Sequence, residues 1–462
     1  MRDSMSVEHD SAQLPNRLHG SSPEEIRRVT ISGFLGNTIE IYDFILYGSA
    51  AALFIGPLFF SELSPALGTL VSFATLATGY VARPLGGVVL GHLGDRVGRK
   101  PVLLLTMVMM GVASGLIGLL PTYGQIGVAA PLLLVFLRLV QGFAIGGEWG
   151  GAALLTAEHA PDGRRGFITG IAQSGFPLGS LLSVLAMAAV SLLPQEQLMS
   201  WGWRLPFLAS FLMLGLGLYV RARISESPLF DELEDTARRR RRPLTQVLRR
   251  PSALLRGVGA TIPPVMCAVL FGSFVVSYAV DIGYARSEVL VALAIAWAVS
   301  MVTTPIYGML SDRIGRRPVY LFGAIGLAVL AFPVFWAINS GSMVLLAISL
   351  VAVFGLVSSA MSGHLAALLS EMFDTDVRYT GVSLSYQMAT IIAGFTPLLA
   401  SSLLAVAGGG NNIELVCAFV VVIALLAAVA AGLWMGSGGG SLRTAPTAEA
   451  MPEPVENPSN AR

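Results

Sequence analysis

Read from the N-terminus, the chain is polar to about Glu25 and then alternates long apolar runs with short polar connectors. The runs cover about residues 29–60, 66–90, 101–120, 129–156, 166–193, 204–220, 255–280, 288–310, 318–338, 342–370, 380–406 and 412–435, with edges good to a few positions. There are twelve, and one helical crossing of a bilayer takes about 20 apolar residues. Backbone polar groups facing hydrocarbon must be satisfied within their own segment, so runs of this length predict helices.

Composition agrees with that pattern. Hydrophobic residues make up 54% of the 462, and charged residues only 12%, about half the share of a soluble domain. This excludes a disordered chain, a nucleic-acid-binding protein and a soluble enzyme. The net charge of +1 points to no acidic or basic partner. Cys267 and Cys417 each sit inside an apolar run, which suggests neither a disulfide framework nor a metal site. The N-terminus lacks the short apolar core of a cleaved signal peptide.

The distribution of charge carries more than its sum. The connectors after the second, fourth, sixth, eighth and tenth runs hold Arg96, Arg99 and Lys100; Arg164 and Arg165; Arg221, Arg223, Arg238 to Arg242, Arg249 and Arg250; Arg313, Arg316 and Arg317; and Arg378. The opposite connectors hold essentially Arg204 and Arg286. Positive charge stays on the cytoplasmic side, so both termini are expected there, in a multi-pass protein of the cell (inner) membrane. The expected organisation is a cytoplasmic tail at 1–26, a six-helix half at 27–221, a basic linker at 222–254, a second half at 255–435 and a disordered cytoplasmic tail at 436–462. The linker reads as a solvated stretch near anionic headgroups, with a regulatory site as the alternative.

The chain also repeats itself. Gly91-His-Leu-Gly-Asp95-Arg96-Val-Gly98-Arg99-Lys100-Pro101 follows the second run, and Gly308-Met-Leu-Ser-Asp312-Arg313-Ile-Gly315-Arg316-Arg317-Pro318 follows the eighth. The second copy stands 217 positions after the first. Glu158 lies seven residues before Arg165, and Glu371 seven before Arg378. A duplicated two-half transporter predicts such pairs. Asp95 and Asp312 lie at helix ends, within reach of Arg99 or Arg165 and of Arg316 or Arg378. With Arg96, Arg313, Glu158 and Glu371 they read as a cytoplasmic latch; the alternative is that the arginines serve topology alone.

The doubled G-x-L-x-D-R-x-G-R-K/R resembles the signature of the major facilitator superfamily. Further segments resemble its metabolite:proton symporter family. They are Gly36-Asn37-Thr-Ile-Glu40-Ile-Tyr42-Asp43-Phe44 with Tyr47-Gly48, Ala82-Arg83-Pro84-Leu85-Gly86-Gly87, Arg138-Leu-Val-Gln141-Gly142-Phe143 with Gly146-Gly147-Glu148, and Glu226-Ser227-Pro228. The likeness extends over about residues 27 to 435. It departs at Ile41, where the family usually has an aromatic residue, and the C-terminus lacks the coiled-coil heptads of osmosensing members. The resemblance implies an all-α membrane protein, with twelve transmembrane helices in two six-helix pseudo-symmetric halves. It also implies proton-coupled uptake of a small organic acid or zwitterionic metabolite.

Ionisable residues inside a span are costly and default to functional hypotheses. Asn37, Glu40, Asp43 and Tyr47 recur at spacings of 3, 3 and 4, one polar stripe on the first helix. Two carboxylates a turn apart in a low dielectric favour a proton on one of them, which a proton-coupled carrier needs. The alternative is permanent pairing with arginine. Arg138, Gln141 and Glu148 share a face of the fourth helix, and Arg83 lies in the second. Buried arginine in a carrier reads either as a clamp for a substrate carboxylate or as the standing partner of an acid. Tyr278, Tyr307, Tyr386 and Gln387 are candidate cavity residues, and His364 a second candidate for the proton. Glu40, Asp43 and Glu148 are therefore the expected proton-coupling residues. The expected substrate residues are Arg138, Arg83, Asn37, Tyr47, Gln141, Tyr278, Tyr386 and Gln387.

No Walker motif occurs, and none of the five histidines forms H-x-x-x-H. The expectation is a monomeric secondary carrier, not an enzyme, with a proton, a small solute and the bilayer as partners, and without cofactor, metal or nucleic acid. An exporter of lipophilic compounds and a non-transporting membrane sensor remain the rival readings.

Overall fold

A computed structural model describes residues 22–97, 99–146, 149–161, 163–223, 247, 249, 251–374 and 377–434. The side chains of 94–100 lie outside the described set, as do Glu148, Glu226 and Arg238 to Arg242. All regular structure among the described residues is helical.

Among the described residues, ten helices are continuous, long and apolar enough to cross a membrane. We number the spans in chain order. They are α1 (Pro23–Phe59), α2 (Pro65–Leu90), α4 (Ala129–His159), α5 (Arg165–Ser191), α7 (Pro251–Asp281), α8 (Arg286–Ile314), α9 (Arg316–Asn339), α10 (Met343–Met372), α11 (Arg378–Val406) and α12 (Glu414–Gly432). The other two runs fold differently from the long straight helices the pattern predicts. In α3 (Arg99–Leu119) the apolar portion Leu104–Leu119 is short. In α6 (Arg204–Arg223) the helix joins Gln195–Gly202 through a 40° bend at Trp203. Arg204 holds that bend. Its guanidinium donates to the Ser200 carbonyl and to the Leu120 carbonyl, each at 3.0 Å, and lies 4.4 Å from the Trp203 ring.

The N-terminal boundary is set by chemistry that the apolar pattern misses. Ser22 and Glu25 form a capping box, with Glu25 N–H donating to Ser22 Oγ at 3.2 Å and Ser22 N–H to Glu25 Oε2 at 2.8 Å. Helix α1 therefore starts at Pro23, inside the expected tail. At the middle connector, α6 runs on to Arg223 and α7 begins at Pro251.

The two halves use the same packing scheme. In the first, α1 packs most closely on α5, α2 on α4 and α3 on α6; in the second, α7 on α11, α8 on α10 and α9 on α12. Each pair has the same rank within its half, so the sequence repeat is a repeat of helix packing. The halves meet along α5 with α8 and α2 with α11. Wide π-helical turns interrupt α1 at Ala51–Ile55 and α7 at Leu270–Phe274, near the same end of each half's first helix, and the two touch.

Small residues let backbones meet where charge must be placed, as in membrane bundles generally. A Cβ at Gly142 would overlap the Gly79 carbonyl, and one at Gly86 the Phe143 carbonyl. Helices α2 and α4 therefore touch backbone to backbone, and Arg83 and Arg138 are brought to one seam.

Candidate functional site

Arg138 is fully buried on α4 and Arg83 is 4% exposed on α2. Arg138 Nη1 donates to Gln141 Oε1 at 2.7 Å, and Nη2 donates to the Leu76 carbonyl at 3.4 Å. Its guanidinium carbon lies 3.9 Å from the Tyr47 ring centre and 4.9 Å from that of Phe44. Arg83 lies 4.2 Å from Phe44 and 4.5 Å from Tyr80. The rings thus solvate both cations through their faces. No carboxylate lies within 4.0 Å of either guanidinium among the described residues, and each Nε is buried without a hydrogen-bond partner. Gly79 makes room for this, since a Cβ there would stand 2.8 Å from Arg138 Nη2.

The stripe on α1 turns in several directions. Asn37 Nδ2 donates to the Ala172 carbonyl and to Gln173 Oε1 on α5, each at 3.0 Å. Glu40 is buried on the same helix. Asp43, 2% exposed, lies beside Ser114 of α3 and Ser210 of α6, and its Oδ1 has no hydrogen-bond partner. The Tyr47 hydroxyl shares a 2.6 Å hydrogen bond with Thr75 Oγ1 of α2. Asp43 and Arg138 form no ion pair. Gln141 stands between them, its amide Nε2 donating to Ser114 Oγ at 2.6 Å.

From the second half, Tyr386 stacks on Trp149 with ring centres 3.5 Å apart and planes 10° from parallel. Gln387 Nε2 donates to the Gly146 carbonyl at 2.7 Å, while its Oε1 is buried and unpartnered. Tyr278 and Tyr307 lie apart. The Tyr278 hydroxyl reaches Asn339 at the end of α9, and the Tyr307 ring packs on Phe322. His364 is fully buried at a break in α10, its ring nitrogens without hydrogen-bond partners. Sequence reasoning missed Thr75, Tyr80, Ser114, Trp149 and Ser210, because hydroxyls and rings inside apolar runs carry no pattern of their own.

At one end of the bundle the charged residues of the second motif close on the first half. Asp312 accepts the backbone N–H groups of Gly166 and Phe167, both at 2.8 Å. These are free amides of the first turn of α5, a natural place for a carboxylate. Arg316 Nη1 donates to Asp312 Oδ1 at 2.7 Å, and Nη2 to Glu371 Oε1 at 3.0 Å. Arg378 Nη1 reaches Glu158 Oε1 of the first half at 3.2 Å. A Cβ at Gly308 would overlap the Gly166 carbonyl, so only glycine permits this α5–α8 crossing. Arg165 is buried at the same end, and Arg313 is exposed. Asp95, Arg96 and Arg99, expected in this cluster, have side chains outside the described set. At the opposite end Arg286 donates to Gln195 across the halves.

Twelve apolar helices in two like-packed halves, with buried cations inside the first half and ion pairs between the halves at one end, define a membrane transporter of the alternating two-half type. Residues 29–253 match the family described as Sugar (and other) transporter, and residues 265–458 match the Major Facilitator Superfamily. The chain is 38% identical to the shikimate transporter of Escherichia coli (strain K12), covering 82% of this chain and 88% of that protein. It is 34% identical to the proline/betaine transporter of Salmonella typhimurium (strain LT2), covering 82% and 77%. The solved proton:xylose symporter XylE bound to 6-bromo-6-deoxy-D-glucose superposes with a TM-score of 0.67 at 18% identity, over 91% of this chain and 98% of that one. The chain belongs to the major facilitator superfamily. It is a multi-pass membrane protein and a secondary transporter of small metabolites, not an enzyme.

Proposed function

We propose that the protein takes up a small organic acid or zwitterionic metabolite together with a proton, by alternating access, working as a monomer in the cell membrane with both termini cytoplasmic. One observation carries the reading: two buried guanidiniums at the α2–α4 seam of the first half have no carboxylate partner within 4.0 Å among the described residues. An uncompensated buried cation is expensive, and a substrate carboxylate relieves that cost. Arg138 and Arg83 are assigned the carboxylate, with Tyr47, Tyr386 and Gln387 lining the same seam. Asp43 is assigned the proton, with Glu40 and Glu148 as its neighbours in that role. The ion pairs of Asp312, Arg316, Glu371, Arg378 and Glu158 are assigned the cytoplasmic gate, with Asp95, Arg96, Arg99, Arg165 and Arg313 as its remaining charges. Residues 27–221 and 255–435 are the rocking halves, 222–254 their cytoplasmic linker, and 1–26 and 436–462 the tails.

The relatives named for shikimate and for proline and betaine set the first solutes to try. Purified protein in proteoliposomes is offered shikimate, a dicarboxylate, proline and glycine betaine, with an acid-outside pH gradient. Accumulation of at least one carboxylate, collapsed by a protonophore, is expected. Equal uptake with and without the gradient overturns the proton coupling.

A further inference from the structure

We infer that the site selects carboxylates that also carry a hydrogen-bond donor, with Gln387 of the second half reading the donor while arginine of the first half holds the acid. The inference deepens the reading of Arg83 and Arg138 as the carboxylate clamp and rests on it.

The orientation of the Gln387 amide is fixed by its neighbour. A backbone carbonyl only accepts, so the group facing the Gly146 carbonyl at 2.7 Å is the amide nitrogen. The amide oxygen is the free end. Gln387 is 4% exposed, and no described group donates to its Oε1. Thr390, one turn further along α11, gives its hydroxyl to the backbone carbonyl of Gln387 at 2.9 Å. Buried polar atoms are nearly always paired, so an orphaned acceptor between the halves of a carrier calls for an explanation.

Its placement supplies one. The face of α11 that carries Gln387 runs along the first half. Ser383 packs against Gly150, Tyr386 stacks on Trp149, Gln387 meets Gly146, and Gly394 packs against the Tyr80 ring. Gly146 in turn touches the backbone of Arg83, since a Cβ there would overlap the Arg83 carbonyl. The Arg83 guanidinium lies over the Tyr80 ring at 4.5 Å. Arg83 and Gln387 therefore stand on opposite sides of one interface. Arg83 Nε is a buried donor without an acceptor, and Gln387 Oε1 is a buried acceptor without a donor, yet the two do not bond to each other. A solute that offers a carboxylate to the one and an N–H or O–H to the other completes both.

This division also meets what rocking requires. Both candidate cations lie in the first half. A solute held by that half alone keeps the same contacts whichever way the halves face, and it shifts no equilibrium between the two states. Gln387 gives the second half a contact of its own with the solute.

Calorimetric titration of the purified protein tests the selection with two pairs of acids. Shikimate is set against cyclohexenecarboxylate, and proline against N,N-dimethylproline. The second member of each pair keeps the ring and the carboxylate and lacks every donor. In at least one pair the donor-bearing acid should bind about tenfold tighter or more, because its donor-free partner leaves a buried acceptor unpaired. Gln387→Met, which keeps the length and loses the amide, should bring the members of that pair within about threefold. Gln387→Asn, which withdraws the amide by one methylene, should narrow the preference in the same direction and serves if the first variant does not fold. Equal binding within both pairs, or a preference that survives the loss of the amide, overturns the inference and leaves the clamp standing. The clamp fails differently. If none of the four acids binds, or if Arg138→Lys and Arg83→Lys both leave the tighter acid's affinity unchanged, the clamp falls and the inference falls with it.

Discussion

The two halves share a packing scheme and differ in what they bury. The α2–α4 seam of the first half holds Arg83 and Arg138 among Phe44, Tyr47 and Tyr80. The corresponding α8–α10 seam of the second holds hydroxyls. There Ser300 Oγ and Ser359 Oγ share a hydrogen bond at 2.9 Å, and Thr304 Oγ1 donates to Ser359 Oγ at 3.3 Å. The offset that carries Asp95 onto Asp312 carries Arg83 onto Ser300. Duplication preserved the joint and left the ionic chemistry to one copy. A rocking carrier needs both copies of the joint, because closure at either end depends on matched halves. One copy of the ionic machinery is enough for a site at the centre.

That asymmetry predicts where substitutions hurt most. Asp43→Asn should abolish proton-driven accumulation in proteoliposomes while counterflow, which needs no net proton movement, continues. If Asp43→Asn and Glu40→Gln both keep full pH-driven accumulation, the first-half acids are structural, and the proton travels through Glu148 or His364.

Next in size are the cations. Arg138→Lys keeps the charge but loses the fork that meets a carboxylate with two parallel bonds. Its removal also strands Gln141 Oε1. The apparent KM should rise about tenfold or more, equivalent to roughly 1.4 kcal/mol for each factor of ten. An unchanged KM with lower maximal rate would place the substrate elsewhere in the seam.

The latch gives a graded pair. Asp312 holds two backbone amides and a buried arginine, whereas Glu158 holds Arg378 with its side chain 22% exposed. Asp312→Asn should therefore open that end far more than Glu158→Gln, which removes a partly solvated pair worth about 1 kcal/mol or less. Accessibility of a cysteine introduced near the closed end reads the difference. Equal labelling of the two variants would mean that exposure does not set the strength of these contacts.

How much of this was legible beforehand depends on which link is asked. Run lengths and the doubled motif around Asp95 and Asp312 gave the helices and the two-half plan, since both depend on order along the chain. The site was only partly legible. Spacings of 3, 3 and 4 place Asn37, Glu40, Asp43 and Tyr47 within an arc of about 120° at 3.6 residues per turn. On a helix with neighbours all round, an arc that wide meets several of them. Asn37 therefore went to α5 and Tyr47 to Thr75 of α2, while Asp43 Oδ1 is buried without a hydrogen-bond partner. The sequence offers Arg138 as a carboxylate clamp or as the standing partner of Glu40, Asp43 or Glu148, and the structure gives it Gln141 as its side-chain hydrogen-bond partner. The Gln141–Ser114 contact joins residues 27 positions apart on separate helices, and no periodicity announces it.

The smallest expected effect is the most direct check of the asymmetry. Ser300 is buried, and its hydroxyl pairs with Ser359 inside the second half. Ser300→Ala removes that bond but leaves Ser359 donating to the Phe354 carbonyl at 2.7 Å, so no buried O–H is orphaned. The cost should stay near 1 kcal/mol in thermal stability, as for one neutral hydrogen bond. Gradient-driven uptake should change by less than about fivefold, the factor that 1 kcal/mol can supply. Arg83→Lys, at the equivalent position of the first half, should lower uptake well beyond that, because the flat guanidinium stacked on Phe44 and Tyr80 has no ammonium equivalent. Measured side by side at equal membrane abundance, the two variants weigh one seam against the other. If Ser300→Ala stops transport as completely as Arg83→Lys, the hydroxyl seam belongs to the binding site and the division between the halves is wrong.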